Sequence, residues 1–186
     1  MPISRSPRAL RLNKRRIIGV DPGLASTGWG MVEYSGGKIR YLAHGCIETK
    51  ADRPRAERLF FILESLRVIL DTWNPLESAL ETLYFGRNVS SAIPVAEARG
   101  VIAAALAERG LPVREFTPNA IKQGVVGIRS ADKRQVQEMV RIILGLTEIP
   151  KPDHAADALG AAICCAYGVL KEAPGGTPEG AKKIML

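Results

Sequence analysis

The sequence predicts an α/β protein in which helices flank a mixed five-stranded sheet. Two observations favour this fold class: strand-like segments come first in a meander, and later ones alternate with helical segments. A meander gives antiparallel pairs and alternation gives parallel pairs, so one sheet holds both kinds. Composition in turn indicates a single domain, since 186 residues with 46% hydrophobic and 24% charged residues are typical of one globular domain.

The first half is predicted as a three-stranded meander, a helix and a fourth strand. Short apolar runs place these strands at residues 16–21, 28–34, 38–45 and 78–81. Ser35-Gly36-Gly37 is a hairpin signal between the second and third strands. Between residues 53 and 73, apolar side chains recur every three or four positions, which predicts an amphipathic helix that ends before Pro75.

The second half is predicted as helices around one more strand. An alanine-rich helix ends near Glu108, and a fifth strand follows at residues 113–116. Thr117-Pro118 places a capping hydroxyl before a proline at the first helical position, which marks a helix start. We expect a loop containing Gly124, Gly127 and Arg129. The last two helices are predicted at residues 130–144 and 153–170.

The net charge of +7 comes mostly from the start of the chain. Six basic residues precede the first acid, Asp21, and without them 20 basic residues stand against 19 acidic ones. We expect a basic, disordered arm at residues 1–15, a folded domain at 16–170 and a flexible tail at 171–186. A mis-assigned start and an organelle transit peptide are the other interpretations of the arm.

Cysteine usage and hydropathy indicate a cytoplasmic protein without a membrane span. Three cysteines are an odd number, and Cys164 and Cys165 are adjacent, which disfavours a disulfide framework and paired zinc ligands. Charged residues interrupt every apolar run well before the roughly 18 to 20 residues that a spanning helix requires.

Two predicted strands end on a carboxylate. Asp21 closes the first strand before Pro-Gly, and Glu81 closes the fourth. Ligands commonly bind beyond the carboxyl ends of strands, although Asp before Pro-Gly is also ordinary turn chemistry. A carboxylate that ends a buried strand needs a partner. That partner is either a basic side chain or a metal ion shared with Asp21.

A third acidic segment, Asp153-His154-Ala155-Ala156-Asp157, opens the last predicted helix. A spacing of three puts His154 and Asp157 on one helical face, and Asp153 is placed to cap the helix. Alone, the segment also fits a capping acid beside a surface histidine. Together with Asp21 and Glu81, it predicts a site for Mg²⁺ or Mn²⁺, because oxygen ligands with one imidazole suit these ions.

A basic stretch precedes this acidic segment. It holds Lys122, Arg129, Lys133 and Arg134 against one acid, Asp132. Such cations would offset phosphate charge beside an acidic site. The same residues also fit an ordinary exposed helix surface.

Four segments form a set of motifs in fixed order. They are Ile17 to Gly23 (Ile-Ile-Gly-Val-Asp-Pro-Gly), Leu80 to Asn88, Lys122 to Lys133, and His154 to Leu159. The set resembles the bacterial crossover junction endodeoxyribonuclease RuvC family and covers about residues 16–170. A lone Asp-Pro-Gly would be weaker evidence, because phosphate-binding loops of actin-like kinases also contain it.

The resemblance implies a ribonuclease H-like fold and a homodimer that cuts four-way (Holliday) DNA junctions at symmetric positions during recombination and repair. It implies Mg²⁺ as the cofactor, with two ions in each site and Mn²⁺ as a substitute. It also implies a branch-migration helicase complex, RuvA and RuvB, as a partner.

The same resemblance assigns roles to individual residues. Catalytic and metal-binding roles fall on Asp21, Glu81 and Asp157, and on His154, where the family has either Asp or His. The DNA-binding candidates are Lys122, Lys133, Tyr84, Phe85, Arg87 and Arg129. Among these, Tyr84 matches an aromatic residue that stacks on a base, with Phe85 as the alternative ring.

Two other functions are considered. An actin-like sugar kinase would use Asp21-Pro22-Gly23 to hold ATP phosphates, but such kinases need two domains and 186 residues supply one. A non-cleaving junction-binding module would gain nothing from carboxylates that face phosphates. The acidic set therefore favours the endonuclease.

Overall fold

The core of the fold is a mixed sheet of five strands. The computed structural model describes residues 14–82 and 89–168. The strands are β1 (Arg15–Asp21), β2 (Ser26–Ser35), β3 (Lys38–Glu48), β4 (Glu77–Glu81) and β5 (Val113–Phe116). Their order in the sheet is β3-β2-β1-β4-β5, with antiparallel pairs among β1, β2 and β3 and parallel pairs from β1 through β4 to β5. The predicted mixed five-stranded sheet is confirmed.

Helices cover both faces of this sheet. They are α1 (Arg55–Trp73), α2 (Val89–Glu108), α3 (Pro118–Val126), α4 (Lys133–Leu144) and α5 (Asp153–Ala166). The apolar sides of α1 and α2 pack on one face, and α3, α4 and α5 pack on the other. Over the described ranges, no helix combines the length and the apolar character that crossing a membrane would require.

Strand β1 is buried from both sides because its neighbouring residues point into two different cores. Ile17 packs with Val32 and Leu159 under α5, and Ile18 packs with Met31 and Leu66 under α1. Helix α5 is rich in alanine, and its side chains are buried from Ala158 through Ala166. Small side chains let this helix lie close to the sheet. The carboxyl end of β1 is consequently held against the first turn of α5.

The boundary between α3 and α4 differs from the sequence prediction. Gly124, predicted in a loop, lies inside α3, which ends at Gly127 with a φ of 88°, a conformation that favours glycine. Helix α4 begins at Lys133 and not at Ser130. The Asp132 carboxylate accepts from the Gln135 N–H, and the Gln135 side chain accepts from the Asp132 N–H, which fixes the helix start.

Several strands and helices also differ from their predicted bounds: β2 begins at Ser26 and not at residue 28, and β3 extends to Glu48 and not to residue 45. Strand β1 begins at Arg15, whose guanidinium contacts the buried Glu77 at 2.6 Å. Helix α5 ends at Ala166 and not near Leu170, and Gly168 follows with a φ of 66°. The rest of the predicted arm and tail lies outside the described residues.

Candidate metal centre

Two carboxylates lie at the ends of neighbouring parallel strands. Val20 of β1 pairs with Leu80 of β4, so Asp21 and Glu81 follow at the same level of the sheet. Both side chains are only partly exposed. The strand-end positions predicted for Asp21 and Glu81 are confirmed.

Helix α5 adds a histidine and another carboxylate to this edge. Ligand atoms of Asp21, His154 and Asp157 lie within 4.8 Å of one another. The imidazole Nδ1 of His154 donates to Asp21 Oδ2 at 2.7 Å. Glu81 is not part of this group of three, but it adjoins the group, because the charges of Asp21 and Asp157 both act on its carboxyl. All four predicted site residues therefore meet at one edge of the sheet.

The acids at this edge repel one another. Burial, followed by the negative charges of Asp21 and Asp157, raises the pKa of Glu81 to about 8. Burial and the charge of Asp21 also raise the pKa of Asp157, against the opposing effect of Lys133. The hydrogen bond with Asp21 raises the pKa of His154 despite the partial burial of the ring. Burial and mutual repulsion thus both disfavour the charged forms of Glu81 and Asp157.

Lys133 lies within the acidic site. Its Nζ contacts Asp153 at 3.2 Å and Asp157 at 3.3 Å. Burial lowers the pKa of Lys133, but the two carboxylates outweigh burial and the net direction is upward. Lys122 lines a cavity of about 170 Å³ together with Lys133, Glu81 and Asp157. Both lysines are therefore placed to meet an anion that approaches the carboxylates.

Among the described residues, Arg129 is a further DNA-binding candidate, and it does not line this cavity. Arg129 is exposed in the segment between α3 and α4. Tyr84, Phe85 and Arg87 lie outside the described residues. Their assigned roles stay predictions.

The predicted capping role of Asp153 is wrong. Pro152 occupies the N-cap position of α5, with no side-chain cap, and Asp153 is the first helical residue. Its carboxylate instead pairs with Lys133, whose hydrogen bond and charge lower the pKa of Asp153. Pro152, with a φ of −71° and a ψ of 174°, has the extended backbone of an N-cap residue.

The loop after Asp21 is held by side chains that no sequence motif indicates. The Thr27 hydroxyl donates to Gly23 O at 2.6 Å, and the Thr49 hydroxyl donates to Leu24 O at 2.5 Å. Arg58 Nε in turn donates to Thr49 Oγ1 at 2.8 Å. No spacing pattern marks these residues, since they come from β2, the end of β3 and α1. The only signal is a buried threonine near an Asp-Pro-Gly turn.

The donor set fits a hard divalent cation. Three carboxylates and one imidazole converge here, and oxygen ligands with an occasional nitrogen suit Mg²⁺ and Mn²⁺. The observation that supports this fit is the convergence of ligand atoms from Asp21, His154 and Asp157 within 4.8 Å, beside Glu81, whose pKa is raised to about 8 by burial and by the charges of Asp21 and Asp157. Asp21, Glu81, His154 and Asp157 are the residues that would hold it.

The raised pKa of Glu81 predicts how the stability of the folded protein depends on pH. The unfolded chain releases the Glu81 proton near 4.5 and the folded chain near 8, so this group's contribution is full below 4.5 and is lost as pH rises through 8. The thermal midpoint Tm of the metal-free protein should therefore fall between about pH 5 and pH 9. Mg²⁺ should raise Tm more at the higher pH, because ligands must be deprotonated to bind.

Thermal unfolding in chelator and in Mg²⁺, measured for the wild type and Glu81→Gln, checks this result. Glu81→Gln should flatten the pH dependence and raise the metal-free Tm at about pH 9 by several degrees. Glu64→Gln, the same change at an exposed position of α1 on the opposite face of the sheet from α5, is the control and should keep the wild-type pH slope. An equal pH slope in the wild type and Glu81→Gln would contradict the prediction.

The fold and the site together define a class of protein. A five-stranded mixed sheet of order β3-β2-β1-β4-β5, with acids at the ends of β1 and β4 and on the closing helix, is a ribonuclease H-like domain with an acidic centre. The family described as crossover junction endodeoxyribonuclease RuvC matches residues 17–165. The chain belongs to this RuvC family and is a nuclease.

Individual relatives agree with this assignment. Crossover junction endodeoxyribonuclease RuvC of Chloroflexus aurantiacus is 51% identical over 152 residues, covering 82% of this chain and 93% of the relative. The protein of the same name from Treponema pallidum is 48% identical over 153 residues, covering 80% of this chain and 78% of the relative. The structure of Thermus thermophilus RuvC in complex with a Holliday junction substrate superposes with a TM-score of 0.78 at 35% sequence identity. The match covers 83% of this chain and 95% of that one.

Proposed function

We propose that this protein is a Holliday junction resolvase that hydrolyses phosphodiesters with a divalent metal held by Asp21, Glu81, His154 and Asp157. The observation that carries the proposal is the convergence of β1, β4 and α5 on one acidic edge, with two lysines beside it. Family membership supports the substrate, since a relative in this family is described in complex with a Holliday junction. Membership of the RuvC family also disfavours the alternative function, that of an actin-like sugar kinase.

The proposed metal is Mg²⁺, with two ions in each site and Mn²⁺ as a substitute. When bound, such ions activate a water and neutralise charge on the leaving oxygen. Asp21, Glu81 and Asp157 supply the negative charge that retains them. His154 completes the donor set and, through its hydrogen bond at 2.7 Å, fixes the orientation of the Asp21 carboxylate.

The two lysines have a separate task. A phosphate that enters an acidic site meets repulsion, which cationic side chains on the cavity wall offset. Lys122 and Lys133 line the same cavity as Glu81 and Asp157. We propose that both ammonium groups contact DNA phosphates, with Lys133 exchanging its carboxylate partners for phosphate oxygens.

Cleavage of a synthetic four-way junction and of a linear duplex of the same sequence tests the proposed function. We expect paired, symmetric cuts in the junction with Mg²⁺ and none with chelator, and no comparable cutting of the duplex. Binding of the junction without cutting under every metal condition would instead identify a non-cleaving binding module.

Loss of either lysine should weaken junction binding in a salt-dependent way. For Lys122→Ala and Lys133→Ala we expect the slope of log affinity against log salt to decrease in magnitude by about 1 each. Binding titrations in chelator at several salt concentrations measure this slope. Lys38→Ala is the matched control, because Lys38 is exposed and starts β3 at the far end of the sheet from Asp21. Unchanged slopes in both cavity variants would place these lysines off the DNA path.

We further propose a homodimer, because cutting two opposed strands of a near two-fold symmetric junction requires two sites related by that symmetry. The sequence places small and apolar residues along α2, and Ile93, Ala96, Gly100 and Ala104 are exposed on one face of it. A Cβ at Gly100 would meet nothing within 4 Å in the described chain. We propose this face as the seam, and RuvA and RuvB as partners on the ground of family membership.

A charge on this face should separate the subunits. Gly100→Glu fits the monomer without a clash, so we expect it to fold normally and to sediment as a monomer at about micromolar concentration, where the wild type is a dimer. Ile142→Glu places the same charge on an exposed position of α4, on the opposite face of the sheet, and should leave the dimer intact. A dimeric Gly100→Glu protein would exclude this seam.

A further inference from the structure

The first turn of α5 rests directly on a glycine of β2. Gly28 pairs with Asp21 across the β1–β2 ladder. A Cβ built on Gly28 would fall well inside 3.0 Å of the His154 carbonyl and 2.8 Å from the His154 Cβ. Real Cβ atoms essentially never approach other atoms so closely. Any side chain at position 28 therefore has to displace the turn that carries His154.

This contact lies between two residues of the acidic centre. Asp21 is the strand partner of Gly28, and His154 is the residue that Gly28 touches. The same two residues share the hydrogen bond of 2.7 Å between His154 Nδ1 and Asp21 Oδ2. The depth at which α5 sits on Gly28 thus sets the distance between the imidazole and the carboxylate.

Gly30, two residues further along β2, provides a comparison. A Cβ there would meet the Leu159 side chain, with Cγ and Cδ2 both at 2.6 Å, and the Leu159 backbone N only at 3.0 Å. Leu159 belongs to the buried core, and its two closest atoms to position 30 are side-chain atoms. A substitution at Gly30 disturbs core packing, whereas one at Gly28 pushes on helix backbone next to the site.

We propose that Gly28 is a positioning residue for the metal centre: its missing side chain seats the first turn of α5 on β2 and so sets His154 against Asp21. This inference rests on the proposed function, in which His154 and Asp21 hold the metal. Ligand distances in metal sites lie within about 0.2 Å of values typical of the ion. A displaced first turn should therefore cost metal affinity beyond any cost to stability.

Three measurements on Gly28→Ala and Gly30→Ala test the proposal in the full-length protein. Urea unfolding gives the loss of stability. Side-chain ¹⁵N resonances of His154 in chelator report its hydrogen bond with Asp21 without any metal. Calorimetric titration with Mn²⁺ gives metal affinity under conditions in which both variants are folded. We expect Gly28→Ala to change the His154 resonances and to lose at least about tenfold in Mn²⁺ affinity. Gly30→Ala should lose stability and keep both readouts.

A double-mutant cycle shows whether Gly28 acts through His154. If it does, Gly28→Ala should cost clearly less Mn²⁺ affinity when His154 is already Ala than it costs in the wild type. Equal losses in both backgrounds, wild-type affinity in Gly28→Ala, or equal losses in Gly28→Ala and Gly30→Ala would each overturn the proposal. A wild type that shows the His154–Asp21 signature and binds no Mn²⁺ would refute the metal centre but leave the positioning contact intact.

Discussion

Asp21→Asn should abolish junction cleavage, with a loss of about 10³-fold or more, which corresponds to roughly 4 kcal/mol of transition-state stabilisation. Asp21 is central to the site: it contacts His154, belongs to the group of ligand atoms within 4.8 Å, and acts on the pKa of Glu81. Asparagine keeps the shape of the side chain and removes the charge that would hold a cation. The expected result is therefore a folded protein without catalysis.

Single-turnover cleavage of an end-labelled junction measures this loss, and binding of the same junction in chelator shows whether the DNA surface is intact. We expect binding within a few-fold of the wild type, because removing a carboxylate reduces repulsion of phosphate. Asp52→Asn, on an exposed residue before α1, is the matched control and should cleave normally. Near-normal cleavage by Asp21→Asn would eliminate this carboxylate from the chemistry.

His154→Ala should produce the second largest effect, a loss of about 10²-fold in cleavage, which corresponds to roughly 3 kcal/mol. His154 is a member of the group of three and orients Asp21 by a hydrogen bond. Truncation removes both the donor atom and that bond. His154→Asp should remain active, because it supplies an oxygen ligand and an extra negative charge at the same helical position.

Initial rates in Mg²⁺ and in Mn²⁺ separate these outcomes. A nitrogen ligand favours Mn²⁺ over Mg²⁺, so His154→Asp should lower the ratio of the Mn²⁺ rate to the Mg²⁺ rate. Asp153→Ala removes the ion pair with Lys133 at an exposed position and should retain most activity. Full activity in His154→Ala with none in Asp153→Ala would show that Asp153 is the true ligand of this helix.

The sequence predicts the acidic edge because the helices that alternate with strands indicate which strands run parallel. Asp21 and Glu81 each end an apolar strand, and the carboxyl ends of parallel strands meet at one edge of a sheet. His154 and Asp157 follow from helical spacing. Local periodicity and one topological rule are therefore enough to predict all four positions.

Features that depend on tertiary contacts are not predictable in this way. Gly124 is helical because α3 is held by its caps and by the core, which outweigh the low helix propensity of glycine. Asp153 pairs with Lys133, a residue from α4 that no spacing rule connects with α5. The close approach of α5 to Gly28 depends on how the helix sits on the sheet, and sequence alone gives no such distance.

A crystal of the protein soaked in Mn²⁺ tests the central claim most directly, through the anomalous scattering of the metal. We expect anomalous density bounded by the carboxylates of Asp21, Glu81 and Asp157, with His154 beside it, and no such density in a crystal of Asp21→Asn. Mn²⁺ density elsewhere on the chain, or an empty acidic edge at saturating Mn²⁺, would contradict it.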